Sequence, residues 1–194
     1  MLVHLLALPL AFAPQSAPAA EQSGPEPTFS YSFIEAAYFR SNIDNVSQDA
    51  EGWGIRASYD VVPGVNLIGA FKTQSTDLLG GEFEVTDYAF GIGTHHAVHP
   101  KVDLFSSVDF RRQDRKALGQ SSDDTGYGFT GGMRTIPHER IELGVVLGYS
   151  YVSTSNTELD FNARGYITEK VSLGASVAFG DDQTAYTLGL RVDI

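Results

Sequence analysis

At 194 residues the chain is about one domain long, and its formal charge of −11 with a pI near 4.7 excludes a nucleic-acid surface, which needs clustered Lys and Arg. It contains no cysteine, so neither a disulfide framework nor a thiolate metal centre is available.

The chain opens with MLVHLLALPLAFAPQSAPAA, an apolar run followed by Ala- and Pro-rich sequence. Residues 2–13 are too few to cross a bilayer as a helix, which takes about 20 residues. Ala17, Pro18 and Ala19 supply the small residues that a signal peptidase reads, although His4 is the only basic group ahead of the run. Residues 1–20 are therefore expected to be a signal peptide and residues 21–28 a polar, Pro-containing linker.

From residue 29 the apolar period is two. Ten segments follow in order: FSYSFIEAAYFR (29–40), EGWGIRASYDV (51–61), VNLIGAFKTQS (65–75), FEVTDYAFGIGTHH (83–96) and KVDLFSSVDFRR (101–112), then TGYGFTGGMRT (125–135), RIELGVVLGYSYV (140–152), ELDFNARGYI (158–167), VSLGASVAFG (171–180) and TAYTLGLRVDI (184–194). Strands of about eleven residues at a tilt near 45° rise about 25 Å, the height of the apolar band of a membrane-spanning barrel. After even segments the connections are tight: VPG, AVHP, IPHE and TEK. After odd segments they are polar and mostly longer, as in SNIDNVSQDA and QDRKALGQSSDD. Short turns at one end and longer loops at the other is the arrangement of an outer-membrane barrel.

The faces carry the same message. One side of the second segment holds Trp53, Ile55, Ala57 and Tyr59, and the other holds Gly54, Arg56 and Ser58. The seventh sets Ile141, Leu143, Val145, Leu147 and Tyr149 against Glu142, Gly144, Gly148 and Ser150. A soluble barrel would leave the glycine-rich face on its surface, where strand glycines destabilise; a membrane barrel turns the apolar face to lipid. With strands alternating in direction, Tyr38, Trp53, Phe71, Tyr88, Phe110, Tyr127, Tyr149, Phe161, Phe179 and Tyr186 form a ring at the loop end, an aromatic girdle at headgroup level. The fold class expected is an all-β, antiparallel up-and-down transmembrane β-barrel over residues 29–194, with ten strands, or eight if two segments are loop excursions.

The stretches YSFIEAAY, DAEGWGIRASYDV and YAFGIGTHH resemble the small outer-membrane β-barrel superfamily. More closely, they are similar to barrels of plant-associated Gram-negative bacteria, some once described as secreted quorum or immunity-eliciting factors. The resemblance implies a place in the Gram-negative outer membrane, with lipid, lipopolysaccharide and the barrel-assembly machinery as partners, and it implies no cofactor. Such barrels usually end in an aromatic residue that the machinery reads; this chain ends in Ile194.

Inward parity collects Glu35, Arg56, Lys72, Asp87, Asp103, Asp109, Arg111, Arg134, Glu142, Arg164, Arg191 and Asp193 in the lumen. Glu35 and Arg56 are equidistant from the middle of the first loop, and Arg134 and Glu142 from the middle of the third turn. Both pairs are therefore expected to be direct cross-strand neighbours. Such pairs either fill the interior or line a narrow ion path. An enzyme is not expected, because His95, His96, His99 and His138 fall at the turn end, away from the acidic loop pairs Asp123–Asp124 and Asp181–Asp182. Those histidines are read as headgroup-level residues rather than a metal site. In the outer loops Asp44, Asp49, Glu51, Asp77, Glu82, Asp123, Asp124, Asp181 and Asp182 could hold cations that bridge lipopolysaccharide, while Arg40, Arg112, Arg115 and Lys116 could meet lipid phosphates. The function expected is a structural or surface-interaction barrel with a largely filled lumen, the alternative being a narrow channel for ions or small solutes.

Overall fold

The computed structural model describes residues 29–43, 49–78, 81–117 and 120–194. The expected signal peptide, the linker and Asp44 lie outside the described residues. Ten antiparallel strands form one closed barrel, each paired with its chain neighbours. They are β1 (Phe33–Ile43), β2 (Ala50–Val62), β3 (Val65–Leu78), β4 (Gly81–His99), β5 (Val102–Ala117), β6 (Gln120–His138), β7 (Ile141–Val152), β8 (Thr154–Tyr166), β9 (Val171–Gly180) and β10 (Gln183–Asp193). The ring closes where β1 meets β10, from Phe33↔Asp193 to Ile43↔Gln183. Closure leaves no free strand edge, so the backbone donors and acceptors of every strand are met within the barrel, as a lipid setting demands.

Burial is inverted relative to a soluble protein. Asp103, Glu142 and Arg191 are 1–2% exposed, whereas Phe90 is 63% and Leu188 61% exposed. Each large apolar side chain left in water would cost about 1.5–3 kcal/mol of unrealised burial, so a belt of this extent belongs in lipid.

Three sequence expectations are corrected. Strand β1 begins at Phe33, not at residue 29: Phe29 and Tyr31 are buried beside Ile136 instead of continuing the ladder. Much of the expected outer loop 113–124 is strand, because β5 and β6 stay in register from Arg112↔Thr125 out to Ala117↔Gln120. Strands β4 and β6 reach 19 residues each and β5 between them 16, well beyond the roughly 9–11 needed to cross a bilayer, so this part of the barrel wall stands proud of the membrane. The connection expected over 153–157, between the seventh and eighth segments, is reduced to Ser153, which takes φ 63° and lets β8 start at Thr154. At the other end, Gly64 with φ 79° makes the turn between β2 and β3, a conformation that glycine adopts without steric cost.

Candidate functional site: the charged lumen

The turn end of the lumen is stoppered from below. Residues 29–32 fold across the base, held by the Arg191 Nη2 donating to the Ser30 carbonyl at 2.6 Å and by Ile194 N donating to Ser32 O at 3.0 Å. Arg134 lies over the rings of Tyr31 (4.1 Å) and Phe29 (4.9 Å), with Phe105 at 5.8 Å. Tyr31 also stacks on His95, with centroids 3.6 Å apart and planes within 9°. His95 in turn places Nε2 3.2 Å from Asp60 Oδ1. A guanidinium covered on its faces by aromatic rings keeps its charge in a place where few oxygens can reach it.

A layer of ion pairs tightens this base. Arg134 donates to Glu142 at 3.3 Å, and the Tyr166 hydroxyl donates to the other Glu142 oxygen at 2.7 Å. Arg191 donates to Asp193 at 2.7 Å and rests over Phe33 at 3.8 Å. One expectation is corrected here: Arg134 and Glu142 are not register partners, since Arg134 faces Gly144 on β7 and Asp103 on β5. A bulge between Thr135 and His138 shifts the pairing, and the ion pair forms on the diagonal.

Above the base a strut crosses the lumen. Glu35 on β1 accepts from Arg56 on β2 at 2.7 Å and from Arg164 on β8 at 2.6 Å. Arg56 is its register partner, but Arg164 belongs to a strand three places around the ring. Arg164 is anchored further by donating to Ser172 at 3.2 Å. Both carboxylate oxygens are thus occupied by guanidinium nitrogens, two short charge-assisted hydrogen bonds on one carboxylate.

Around and beyond the strut lies a cavity of about 510 Å³. Here the pairing is incomplete. Arg111 donates to Asp109 at 2.6 Å on its own strand, and Asn162 donates to Asp160 at 2.9 Å. Lys72 and Asp87 are register partners, yet the structure does not bring them together as an ion pair. Asp87 instead accepts from Gln113 at 2.7 Å, and the Lys72 ammonium sits over the Phe39 ring at 4.3 Å. At the outer rim Arg40 pairs with Asp49 at 2.5 Å, Arg112 with Asp114 at 2.9 Å, Arg115 with Asp124 at 3.3 Å and Lys116 with Glu84 at 3.5 Å. Among the described residues no group of three His, Cys, Asp or Glu side chains is placed to hold a metal.

The girdle residues lie side by side on the outside. Tyr38 faces Trp53 in register, and ring contacts run from Trp53 to Phe71 (5.2 Å) to Tyr88 (5.4 Å). Phe110 faces Phe90 and Tyr127, and Tyr127 contacts Tyr149 at 6.5 Å. Phe179 contacts Phe161 at 6.4 Å, and Tyr186 is exposed on β10. Phe161 faces Val145 and Val177 near mid-strand, so the ring dips there toward the turn end. Phe90, Phe129 and Tyr151 are outward aromatics that the sequence reading missed. It also missed Phe33, Phe39 and Phe105 on the inner face, and Glu158 and Asp160. Glu158 and Asp160 share the parity of Arg164, and that signal would have found them. His95, expected at headgroup level, instead stacks on Tyr31 in the base, because its position on β4 points inward.

A closed antiparallel barrel with an apolar exterior and a charged interior defines an outer-membrane β-barrel protein. The chain belongs to the outer membrane protein beta-barrel domain family, whose model matches residues 4–179. Its fold is similar to that of the NanC porin (9% identity, TM-score 0.56, covering 83% of this chain and 100% of that one). An outer membrane channel from Pseudomonas putida F1 (11% identity, TM-score 0.54, 89% and 99% covered) and the beta domain of the Bordetella autotransporter BrkA (13% identity, TM-score 0.51, 86% and 100% covered) are similar to it as well. At these identities the likeness is one of fold. No curated protein matches the sequence.

Proposed function

We propose that this protein is a structural, surface-facing barrel of the outer membrane whose lumen is closed at the turn end, rather than an open channel. The observation that carries the reading is the Arg56–Glu35–Arg164 strut, which ties β2 and β1 to β8 across the lumen directly above the Phe29–Tyr31 stopper. An ion following the axis would have to part a doubly occupied carboxylate and then displace packed aromatic rings. The paired charges at the outer rim support contact with lipopolysaccharide, since Arg40, Arg112 and Lys116 are exposed there and can exchange carboxylate for phosphate. Barrel-assembly machinery is the partner that inserts the chain, and the resemblance to barrels of plant-associated bacteria fits a role at the cell surface.

A second reading, a narrow channel, is favoured by the cavity of about 510 Å³. Conductance of the refolded barrel in a planar bilayer separates the two. The native protein is expected to be silent, with folding verified by heat-modifiable gel mobility. Steady openings that change in size or selectivity in the Glu35→Gln, Arg56→Gln double variant would replace the structural reading with the channel.

A further inference from the structure

The luminal charges that the strut and stopper leave unused are not scattered. Lys72 belongs to β3 and Glu158 to β8, which lie five places apart in either direction around the ten-strand ring and so face each other across the lumen. Both line the cavity of about 510 Å³, and Asp160 follows Glu158 on the same wall. Among the described residues neither Lys72 nor Glu158 has an ion partner within 4.0 Å. The ammonium rests on the Phe39 ring at 4.3 Å, and its register partner Asp87 is held by Gln113. Lys72 is thus a cation with a ring beside it and no carboxylate against it. The opposite wall carries two carboxylates, and among the described residues Asp160 is met only by the neutral amide of Asn162 at 2.9 Å. Glu35, Asp109, Glu142 and Asp193 each touch an arginine, whereas Lys72 and the two carboxylates opposite it stand apart on the walls of one cavity.

A gap between fixed opposite charges selects a ligand by its dipole. A dianion would meet Glu158 and Asp160 unfavourably, and a dication would meet Lys72. A molecule with a carboxylate at one end and an ammonium at the other satisfies both walls. The cavity is in the size range of sites for small molecules. We infer that the lumen holds a binding site for a small zwitterion, its carboxylate on Lys72 and its ammonium on Glu158 and Asp160. Because the base is stoppered, access is from the loop end. The site stands apart from the question of conduction, since it is read by binding to the folded barrel and not by current.

The test is calorimetric titration of the detergent-refolded barrel with three probes of matched length: ε-aminocaproate, adipate and hexamethylenediamine. Only ε-aminocaproate is expected to bind. Lys72→Met and Glu158→Gln should each weaken it by about tenfold or more. Lys72→Glu combined with Glu158→Lys should restore binding, because the zwitterion can turn end for end. Failure of the native barrel to bind ε-aminocaproate would overturn the proposal. So would equal binding of adipate or hexamethylenediamine, or affinity unmoved by the substitutions. The probe comparison needs no variant, so a substitution that prevents folding leaves the proposal exposed to refutation.

Discussion

Glu35 shows what a single luminal residue contributes. Its carboxylate accepts from Arg56 and Arg164, and the two partners are not equivalent: the Arg164 side chain is 10% exposed and that of Arg56 is 54% exposed. Removing one member of a buried pair leaves the other charged and unpaired, at a cost of about 3–5 kcal/mol, whereas a half-solvated partner is screened and loses much less. Glu35→Gln is therefore expected to lower the unfolding free energy in denaturant titrations by about that amount, and Arg56→Gln by clearly less. Glycines are the other half of the same design. A Cβ on Gly128 would stand 2.5 Å from the Arg111 Nε and 2.7 Å from Asp109 Oδ1, whereas one on Gly131 would meet nothing within 4 Å. Gly128 thus makes room for a neighbour's ion pair. Gly128→Val is expected to destabilise the barrel by about 1–3 kcal/mol through overpacking, and Gly131→Val to be neutral or mildly stabilising in the same titration.

At the scale of the strand, what the sequence reveals is set by which interactions are local. The strand count, the apolar faces and the Glu35–Arg56 pairing are legible because alternation and distance from a turn determine them. Arg164 as the second partner of Glu35 is not, since that contact depends on barrel closure and spans 129 residues of sequence. The inward turn of Phe29 and Tyr31 is equally hidden, because their parity continues that of Phe33 and a strand is the local reading. The β5–β6 extension misleads for a different reason. Its residues are polar on both faces, as in a loop, yet the ladder persists, helped by Arg112–Asp123 and Arg115–Asp124 pairs between the strands. Exposed pairs of this kind are worth about 0–1 kcal/mol each, so the extension adds little to the barrel below it. Replacing residues 113–124 by a short Asn-Gly turn is expected to leave heat-modifiable gel mobility and the unfolding midpoint nearly unchanged. A collapse of either would mean that the outer hairpin is part of the barrel's foundation.

For the molecule as a whole, the exterior decides the solvent. Leu147 stands in the middle of β7 (Ile141–Val152), 57% exposed, with Leu159 and Gly131 opposite it on the flanking strands. Ile141 lies on the same face at the turn end, 44% exposed. In water the two positions would behave alike, since an arginine on an exposed strand face costs little at either. In a bilayer they differ by depth: arginine costs about 2–4 kcal/mol near the midplane and about 0–1 kcal/mol near the interface. Leu147→Arg is therefore expected to lower the unfolding free energy in lipid vesicles by about 2–4 kcal/mol, and Ile141→Arg by no more than about 1 kcal/mol. The same pair measured in a short-chain detergent micelle should show a smaller gap, because the apolar layer there adapts around the charge. Equal and small losses in vesicles would mean that the face bearing Leu147 does not meet the hydrocarbon core, and the membrane orientation of the entire barrel would have to be redrawn.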